Sequence, residues 1–389
     1  MKMDNTSGGG QGDFTVTPWK VTGQVDYQKL IKKFGTQPID TKLVERLFRD
    51  AGEENHAVRR GVYYSHRDLD IVLNEYEQGK KFFLYTGRGP SGPMHLGHII
   101  QFYFTSWLQR RFNANVYIQL TDDEVFLSER SPSLETAGKW SYENALDIIA
   151  AGFDPDRTFI FRDTEYMGNV YKLALKVAKK INFSTAKAIF GFKGDSNIGF
   201  IFYPAVQVVP SLFERNRCLI PCAIDQDPFW RVQRDIAESL GFPKAAAIHS
   251  KFLPALTGIT AKMSASAAET AIYLGDDEKM VRTKIMKNAF SGGQATVEEH
   301  RRLGGNTDVD VPFQWLYMFF EPSDKRVEQI RSDYSSGRML SGEIKSILID
   351  RVNGFLKEHR ERRAKAEKDV DKFMKTGKLA SRMMSTIYE

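Results

Sequence analysis

Cysteine is scarce. The 389-residue chain has two, Cys218 and Cys222, on either side of Leu219-Ile220-Pro221 in an apolar run. A structural zinc site ordinarily takes four Cys or His ligands, and no second pair stands at ligand spacing, so no zinc is expected. The two thiols read as small buried residues, and a chain so poor in cysteine suits a reducing, cytoplasmic compartment. Long apolar runs are missing too. No stretch reaches the ~20 residues of a bilayer-spanning helix, so no membrane contact is expected. Met1 to Asp13 is polar and glycine-rich. It lacks the apolar segment of a secretory signal and the arginines of a transit peptide, and is expected to be disordered. Neither sign of charge dominates: 55 Lys and Arg stand against 49 Asp and Glu, a net +6. That mild basic bias allows a polyanionic partner without requiring one. No internal repeat appears, and a hydrophobic content of 42% supplies core for two domains of ordinary size.

What is present is organised around Leu84-Tyr85-Thr86-Gly87-Arg88-Gly89-Pro90-Ser91-Gly92-Pro93-Met94-His95-Leu96-Gly97-His98. Phe82-Phe83-Leu84 reads as a buried strand, and the glycines and prolines that follow read as loop. Leu96, Ile99, Ile100, Tyr103, Phe104, Trp107 and Leu108 recur at i, i+3, i+4, i+7, which predicts a helix over Met94 to Phe112 with one apolar face. His95 and His98 fall off that face, in the first turn. A strand, a glycine loop and a helix start make an anion site, because N–H groups and the positive end of the helix point the same way. Two imidazoles there can donate to phosphate oxygens, and Gly97 lets a flat ring approach the backbone. Alone, this pair of histidines is equally a helix start with two surface side chains.

Phe14 to Val21 alternates like a short strand or hairpin arm. Helices are expected at Tyr27–Phe34, at Thr41–Ala51 behind an Asp40-Thr41 cap, and from His66 to Gly79 starting at Ser65. Residues 14–75 therefore read as a short appended segment. From Lys81 strands alternate with helices: strands Lys81–Thr86, Val116–Leu120, Thr158–Arg162, Cys218–Ile224 and Ala245–His249, helices Met94–Phe112, Lys139–Ala151 and Asp225–Leu240, and a helical insertion at about 163–215. Such alternation predicts an α/β fold, a parallel sheet with helices on both faces and ligands beyond the carboxyl ends of the strands. After about Glu278 the pattern is all helix. Its last member carries the charge run His359-Arg360-Glu361-Arg362-Arg363-Ala364-Lys365, which reads as a solvated face laced with i, i+4 pairs at least as readily as an RNA contact.

Far downstream of the histidines stands Ala261-Lys262-Met263-Ser264-Ala265-Ser266. HxGH at a strand-to-helix turn followed by KMSxS resembles a class I aminoacyl-tRNA synthetase. The resemblance is closest to the tryptophanyl-tRNA synthetases of the eukaryotic and archaeal type. It is carried by Tyr-Thr-Gly-Arg-Gly-Pro (85–90), Met-His-Leu-Gly-His (94–98), Ile-Gln-Leu-Thr-Asp-Asp-Glu (118–124), Phe-Gly-Phe (190–192), Pro-Ala-Val-Gln (204–207), Cys-Ala-Ile-Asp-Gln-Asp-Pro (222–228), Lys-Met-Ser-Ala-Ser (262–266) and Ala-Phe-Ser-Gly-Gly (289–293). It spans nearly the whole chain from Phe14.

The resemblance implies a Rossmann-like catalytic domain at 76–277 and a C-terminal all-helical anticodon-binding domain at 278–389. It implies a ligase that joins L-tryptophan to ATP, releases pyrophosphate and passes tryptophan to the 3′ end of tRNA(Trp). ATP would bring Mg²⁺ with it. Arg88, Gly89, His95, Gly97, His98, Lys262, Met263, Ser264 and Ser266 would form the ATP site, with His95, His98 and Lys262 catalytic. Lys262 would meet the pyrophosphate oxygens, because this reaction asks the protein for positioning and phosphate neutralisation. Tyr85 and Gln119 would lie near the indole N–H, which needs an acceptor. Glu124, Gln207 and Gln226 would meet the α-amino and carboxylate groups. The resemblance further implies a homodimer and an N-terminal Pro18-Trp19 segment folded over the site.

Two departures stand out. Ser-Gly-Pro-Met precedes His95 where the family more often has one residue more, and Ala267-Ala268 replaces a common Asp-Pro, which predicts a more mobile loop. Three other readings stay open: the sister enzyme for tyrosine, a small-molecule nucleotidyltransferase, and a non-catalytic RNA-binding or signalling protein on a synthetase fold.

Overall fold

The computed structural model of the chain describes residues 15–16, 21–22, 25–263 and 269–389, with backbone alone at 15, 21–22 and 260–262. Its strands are β1 Thr15–Val16, β2 Val21–Thr22, β3 Gln37–Pro38, β4 Tyr63–Arg67, β5 Phe83–Arg88, β6 Val116–Leu120, β7 Thr158–Arg162, β8 Cys218–Ala223, β9 Ala246–Ser250, β10 Pro254–Ala255 and β11 Gly258–Lys262. Among the described residues the central sheet has seven strands in the order β3-β4-β9-β8-β5-β6-β7. From β9 to β7 all neighbours are parallel, while β4 pairs antiparallel to β9 and β3 to β4. The chain leaves β5 in one direction through β6 and β7, then returns to build β8 and β9 on the other side. That reversal opens a crevice at the carboxyl ends of β5, β6 and β8, where ligands of such sheets bind.

The two faces of the sheet separate by alternation along each strand. Leu84, Ile118, Ile160, Leu219 and Ile248 face a core shared with helix Leu96–Phe112 and the C-terminal helices. Phe83, Tyr85, Tyr117, Phe159 and Phe161 face a second, aromatic core beneath helices Asp163–Lys179 and Ile198–Val208.

The helix expected from Ser65 is corrected. Tyr63–Arg67 is a strand, and the helix begins at Leu69 after Asp68 at φ 53°. Pairing with β9 overrides the local helical pattern, and Ser65 spends its hydroxyl on His249 Nδ1 at 3.0 Å. The segment 14–75 thus supplies two strands of the central sheet. The single apolar face expected for the helix over 94–112 is also corrected. Helix Leu96–Phe112 is buried on more than one side, including Thr105, Ser106 and Gln109, because the sheet covers one side and other helices pack on another. The expected helix Asp225–Leu240 breaks into a 3₁₀ turn at Ile224–Gln226, a helix at Asp227–Ile236 and a second 3₁₀ turn at Glu238–Leu240.

The basic run near 360 is neither a purely solvated face nor an open RNA surface. His359 is fully buried between Tyr103 Oη at 3.1 Å and Asp147 Oδ1 at 3.3 Å. Arg363 Nε donates to Asp147 at 2.9 Å, Arg362 to Tyr103 Oη at 2.7 Å and Arg360 to the Asp276 carbonyl at 3.0 Å. These side chains bolt the 31-residue helix Ser341–Asp371 onto the sheet-bearing half. Ala-Phe-Ser-Gly-Gly is likewise structural: Gly292 N–H donates to the buried Asp310 at 3.0 Å, and a Cβ on Gly292 would overlap the Asn306 carbonyl.

The antiparallel edge is held by a buried ion pair. Arg67 reaches both oxygens of Asp227, at 2.6 and 2.8 Å, and His249 Nε2 stands 3.4 Å from the same carboxylate. Burial alone would raise the Asp227 carboxyl, but hydrogen bonds from Arg67 and His249 outweigh it and hold the group below its ordinary value. Stripping one partner from such a pair costs about 3–5 kcal/mol, so Arg67→Ala should lower stability by that amount near neutral pH. A carboxyl depressed by folding contributes fully above its unfolded value, near pH 4, and less as pH falls through the folded one. Urea midpoints taken down to about pH 3 should therefore fall more steeply for the parent than for Arg67→Ala; parallel curves would exclude the pair as a stabiliser.

Candidate active site

The first half of the site is the start of helix Leu96–Phe112. His95 is its N-cap, with extended backbone at φ −116° and ψ 170°, and is almost wholly buried. His98 stands at the third helical position. Its Nδ1 accepts from the His95 backbone N–H at 3.3 Å, the return bond of a capping box in which an imidazole replaces the usual Glu or Gln. That use of Nδ1 leaves Nε2 as the nitrogen that carries the proton. The two rings stack with centroids 3.4 Å apart. The three-residue spacing of HxGH is thus the spacing of a cap and its N3 partner. A Cβ on Gly97 would come within 3.1 Å of the His95 ring and 3.5 Å of Met263 Cβ. Met263, of the KMSxS stretch, is buried against that same turn. Backbone bonds from Leu96 N–H to Ile272 and from Leu274 N–H to Met94, both 3.0 Å, tie the chain beyond the KMSxS stretch to the helix start.

The second half lies in the aromatic core. Tyr203 Oη donates to Gln207 Oε1, Gln207 Nε2 donates to Tyr85 Oη at 3.1 Å, Tyr85 Oη donates to Gln119 Oε1 at 2.5 Å, and Gln119 Nε2 donates to Asp163 Oδ1 at 2.7 Å. All five side chains are buried. Trp230 sets its ring edge-on to Tyr85 at 5.4 Å. Asp163 opens helix Asp163–Lys179. Burial and the charge of Asp123 push its carboxyl well up, and burial raises Asp123 to about 6. Neither residue stood out in the sequence. Asp123 was inside a recognised motif, but its partner sits at the end of β7, where no spacing marks it.

The three consecutive acids divide the work. Asp122 binds Arg162 at 3.1 Å and the Thr164 N–H at 3.1 Å, joining the ends of β6 and β7. Asp123 faces Asp163. Glu124 is buried and accepts from Arg130 through Oε2, while no described group bonds its Oε1. Burial raises the Glu124 carboxyl, and Arg130 and Arg88 work against that rise. A Cβ on Gly89 would stand 3.2 Å from Glu124 Oε2, so the glycine loop passes directly over this carboxylate. Arg88 is half-buried, and its Nε is closed to solvent with no acceptor among the described residues. Burial, then the charge of Arg130, lowers it to about 10, and it stays cationic at neutral pH.

The fold therefore joins Tyr85, Gln119 and Gln207 by hydrogen bonds, sets Gly89 and the charge of Arg88 beside Glu124, and packs His95, Gly97, His98 and Met263 together. Gln226 closes the 3₁₀ turn after β8, half-buried; no hydrogen bond among the described residues joins it to the others. Lys262 ends β11. Its side chain, Ser264, Ser266 and Ala267-Ala268 lie outside the described residues, as do Met1 to Asp13 and Pro18-Trp19.

Residues 77–357 match the family of class I tRNA synthetases for W and Y. A tryptophan–tRNA ligase of Sulfolobus acidocaldarius is 61% identical over 97% of this chain and 99% of its own length. This chain belongs to the class I tryptophanyl-tRNA synthetases. A second ligase so named, from Saccharolobus solfataricus, is 59% identical over 97% of this chain and 99% of its own. Among solved structures, a Plasmodium falciparum tryptophanyl-tRNA synthetase superposes with a TM-score of 0.85 at 40% identity, covering 92% of this chain and 96% of that one. In the synthetase, then, the two motifs separated in sequence meet at Gly97. Replacing it by Ala should leave thermal stability unchanged or slightly higher, since Ala favours helix by about 0.5–1 kcal/mol. The displaced His95 ring should nonetheless slow amino-acid activation roughly tenfold, about 1.4 kcal/mol in barrier, in a pyrophosphate-exchange assay. Activity lost only in proportion to stability would contradict this.

Proposed function

We propose that this tryptophan–tRNA ligase activates L-tryptophan with ATP, releasing pyrophosphate, and transfers it to tRNA(Trp), with the indole N–H held at Tyr85 and Gln119. The observation that carries the reading is the buried pair Tyr85–Gln119 inside an aromatic core, an acceptor end suited to a ring whose one polar group is a donor. Glu124 suits the ammonium group, with its unbonded Oε1 as acceptor. Gln207 and Gln226 complete the amino-acid contacts. Arg88, Gly89, His95, Gly97, His98, Lys262, Met263, Ser264 and Ser266 take the nucleotide, with His95, His98 and Lys262 stabilising charge on the phosphates as pyrophosphate leaves. The described side chains at this end, His95, His98 and Arg88, are donors to phosphate, so Mg²⁺ enters on the phosphate oxygens. No zinc site is part of the reading.

The catalytic unit is residues 76–277, and 278–389 read the anticodon. The β1–β2 hairpin covers the site: Val16 packs with Ile224 at the turn that carries Gln226, and β2 lies against β11. Exposed Phe126, Tyr171, Leu175, Phe183 and Ile198, on neighbouring helices, support a homodimer. No described helix is long and apolar enough to cross a membrane, and a cytoplasmic location fits the two unpaired thiols.

ATP–pyrophosphate exchange with tryptophan, with tyrosine and without amino acid tests the reaction. Exchange with tryptophan alone is expected; exchange with tyrosine would favour the sister enzyme, and none with either a non-catalytic protein. His98→Ala and Lys262→Ala should each remove a phosphate contact of roughly 1.5–3 kcal/mol, slowing exchange about tenfold to a hundredfold or more. Unchanged rates would remove those residues from the mechanism.

A further inference from the structure

The four hydrogen bonds of the aromatic core run in one direction. Tyr203 donates to Gln207, Gln207 to Tyr85, Tyr85 to Gln119 and Gln119 to Asp163. A glutamine amide has a donor end and an acceptor end, so in a buried chain its orientation is set by its neighbours. Gln119 has Tyr85 on one side and Asp163 on the other. Tyr85 can donate or accept and imposes no direction. Asp163 Oδ1 accepts, and therefore decides which end of the amide faces Tyr85.

We propose that Asp163 is a specificity-positioning residue for the amino-acid pocket. As the terminal acceptor of the chain, it holds the Gln119 amide with Oε1 toward Tyr85, so that the end of the pocket accepts a hydrogen bond from the ring of the substrate. The inference rests on the reading that Tyr85 and Gln119 meet the indole N–H. A reversed amide would turn its N–H₂ toward the pocket and oppose an indole with a second donor. Asp123 completes the device. Burial and the charge of Asp123 push the Asp163 carboxyl up, and a proton on its Oδ2, which no described group bonds, leaves Oδ1 bare for Gln119. A neutral side chain of the same shape would serve as well: Asn at 163 can accept from Gln119 through Oδ1 and donate to Asp123 through Nδ2.

The test compares tryptophan with β-(benzothiophen-3-yl)alanine, a near-isostere whose ring has no N–H, in ATP–pyrophosphate exchange. The unmodified synthetase should favour tryptophan by about 100-fold or more in kcat/KM, as a site built around a hydrogen bond rejects an analogue lacking it. In Asp163→Leu that preference should fall at least about tenfold through a higher KM for tryptophan, with kcat/KM for the isostere held within about threefold. Asp163→Asn should keep the preference. In a Gln119→Leu background Asp163→Leu should lower the preference no further, because its effect passes through Gln119. An equal loss for both amino acids, or an unchanged preference in folded Asp163→Leu, overturns the inference. If Asp163→Leu does not fold, a folded Asp163→Asn that loses the preference overturns it. An unmodified synthetase that does not distinguish the two amino acids overturns the underlying reading of Tyr85 and Gln119 as well, whereas a preference that survives Asp163→Leu removes only the role of Asp163.

Discussion

The first turn of helix Leu96–Phe112 is the constraint on which the active end depends. Three independent contacts fix where it begins. His98 returns a cap to His95, the backbone at Ile272–Leu274 bridges across it, and Met263 rests on Gly97. Each comes from a different part of the chain. The glycine loop before it is anchored in turn by Asn144, whose amide donates to the Gly92 carbonyl at 3.0 Å. A helix start held this way presents its N–H groups at a set position, and preorganised donors stabilise developing phosphate charge without rearranging when it appears.

Polar groups have entered the core on strict terms. Tyr85, Gln119 and Asp163 are buried in an aromatic surround where an unmade hydrogen bond is costly, and each link from Tyr203 to Asp163 Oδ1 joins a donor to an acceptor. The same rule orders the interface between the two halves, where His359, Arg362 and Arg363 converge on Tyr103 and Asp147. Charge that looked available for nucleic acid is consumed in joining helix Ser341–Asp371 to the sheet.

Much of this was legible in the amino acids. Helix Tyr27–Phe34 follows from local periodicity, because it buries the face its own pattern displays, and strands β6 and β7 follow from short apolar runs. Tyr85, Gln119, Gln207, His95 and His98 were recognisable from motifs; the first three meet in one hydrogen-bonded set and the two histidines in another. What escaped depends on distant partners. β4 is a strand because β9 lies beside it, and helix Leu96–Phe112 is buried on more than one side because two layers cover it, neither of which a short window contains. Asp163 escaped for a different reason: a lone acid at a strand end carries no pattern, and its importance arises from meeting Gln119 and Asp123 across the sheet. The hairpin β10–β11 was too short to register.

The antiparallel partnership of β4 with β9 also has a bearing on how the chain matures during synthesis. Ser65 and His249 are 184 positions apart, and Arg67 and Asp227 are 160 apart. Contacts of such long range form slowly and only after the later segment exists. An emerging chain therefore carries β4, with Tyr63 and Tyr64, paired on its β3 edge alone until most of the polypeptide has left the ribosome. Exposed apolar strands of that kind invite association with the wrong neighbour. The early helices Tyr27–Phe34 and Thr41–Ala51, with their own caps at Asp26 and Asp40, can form ahead of it and shelter that strand while it waits.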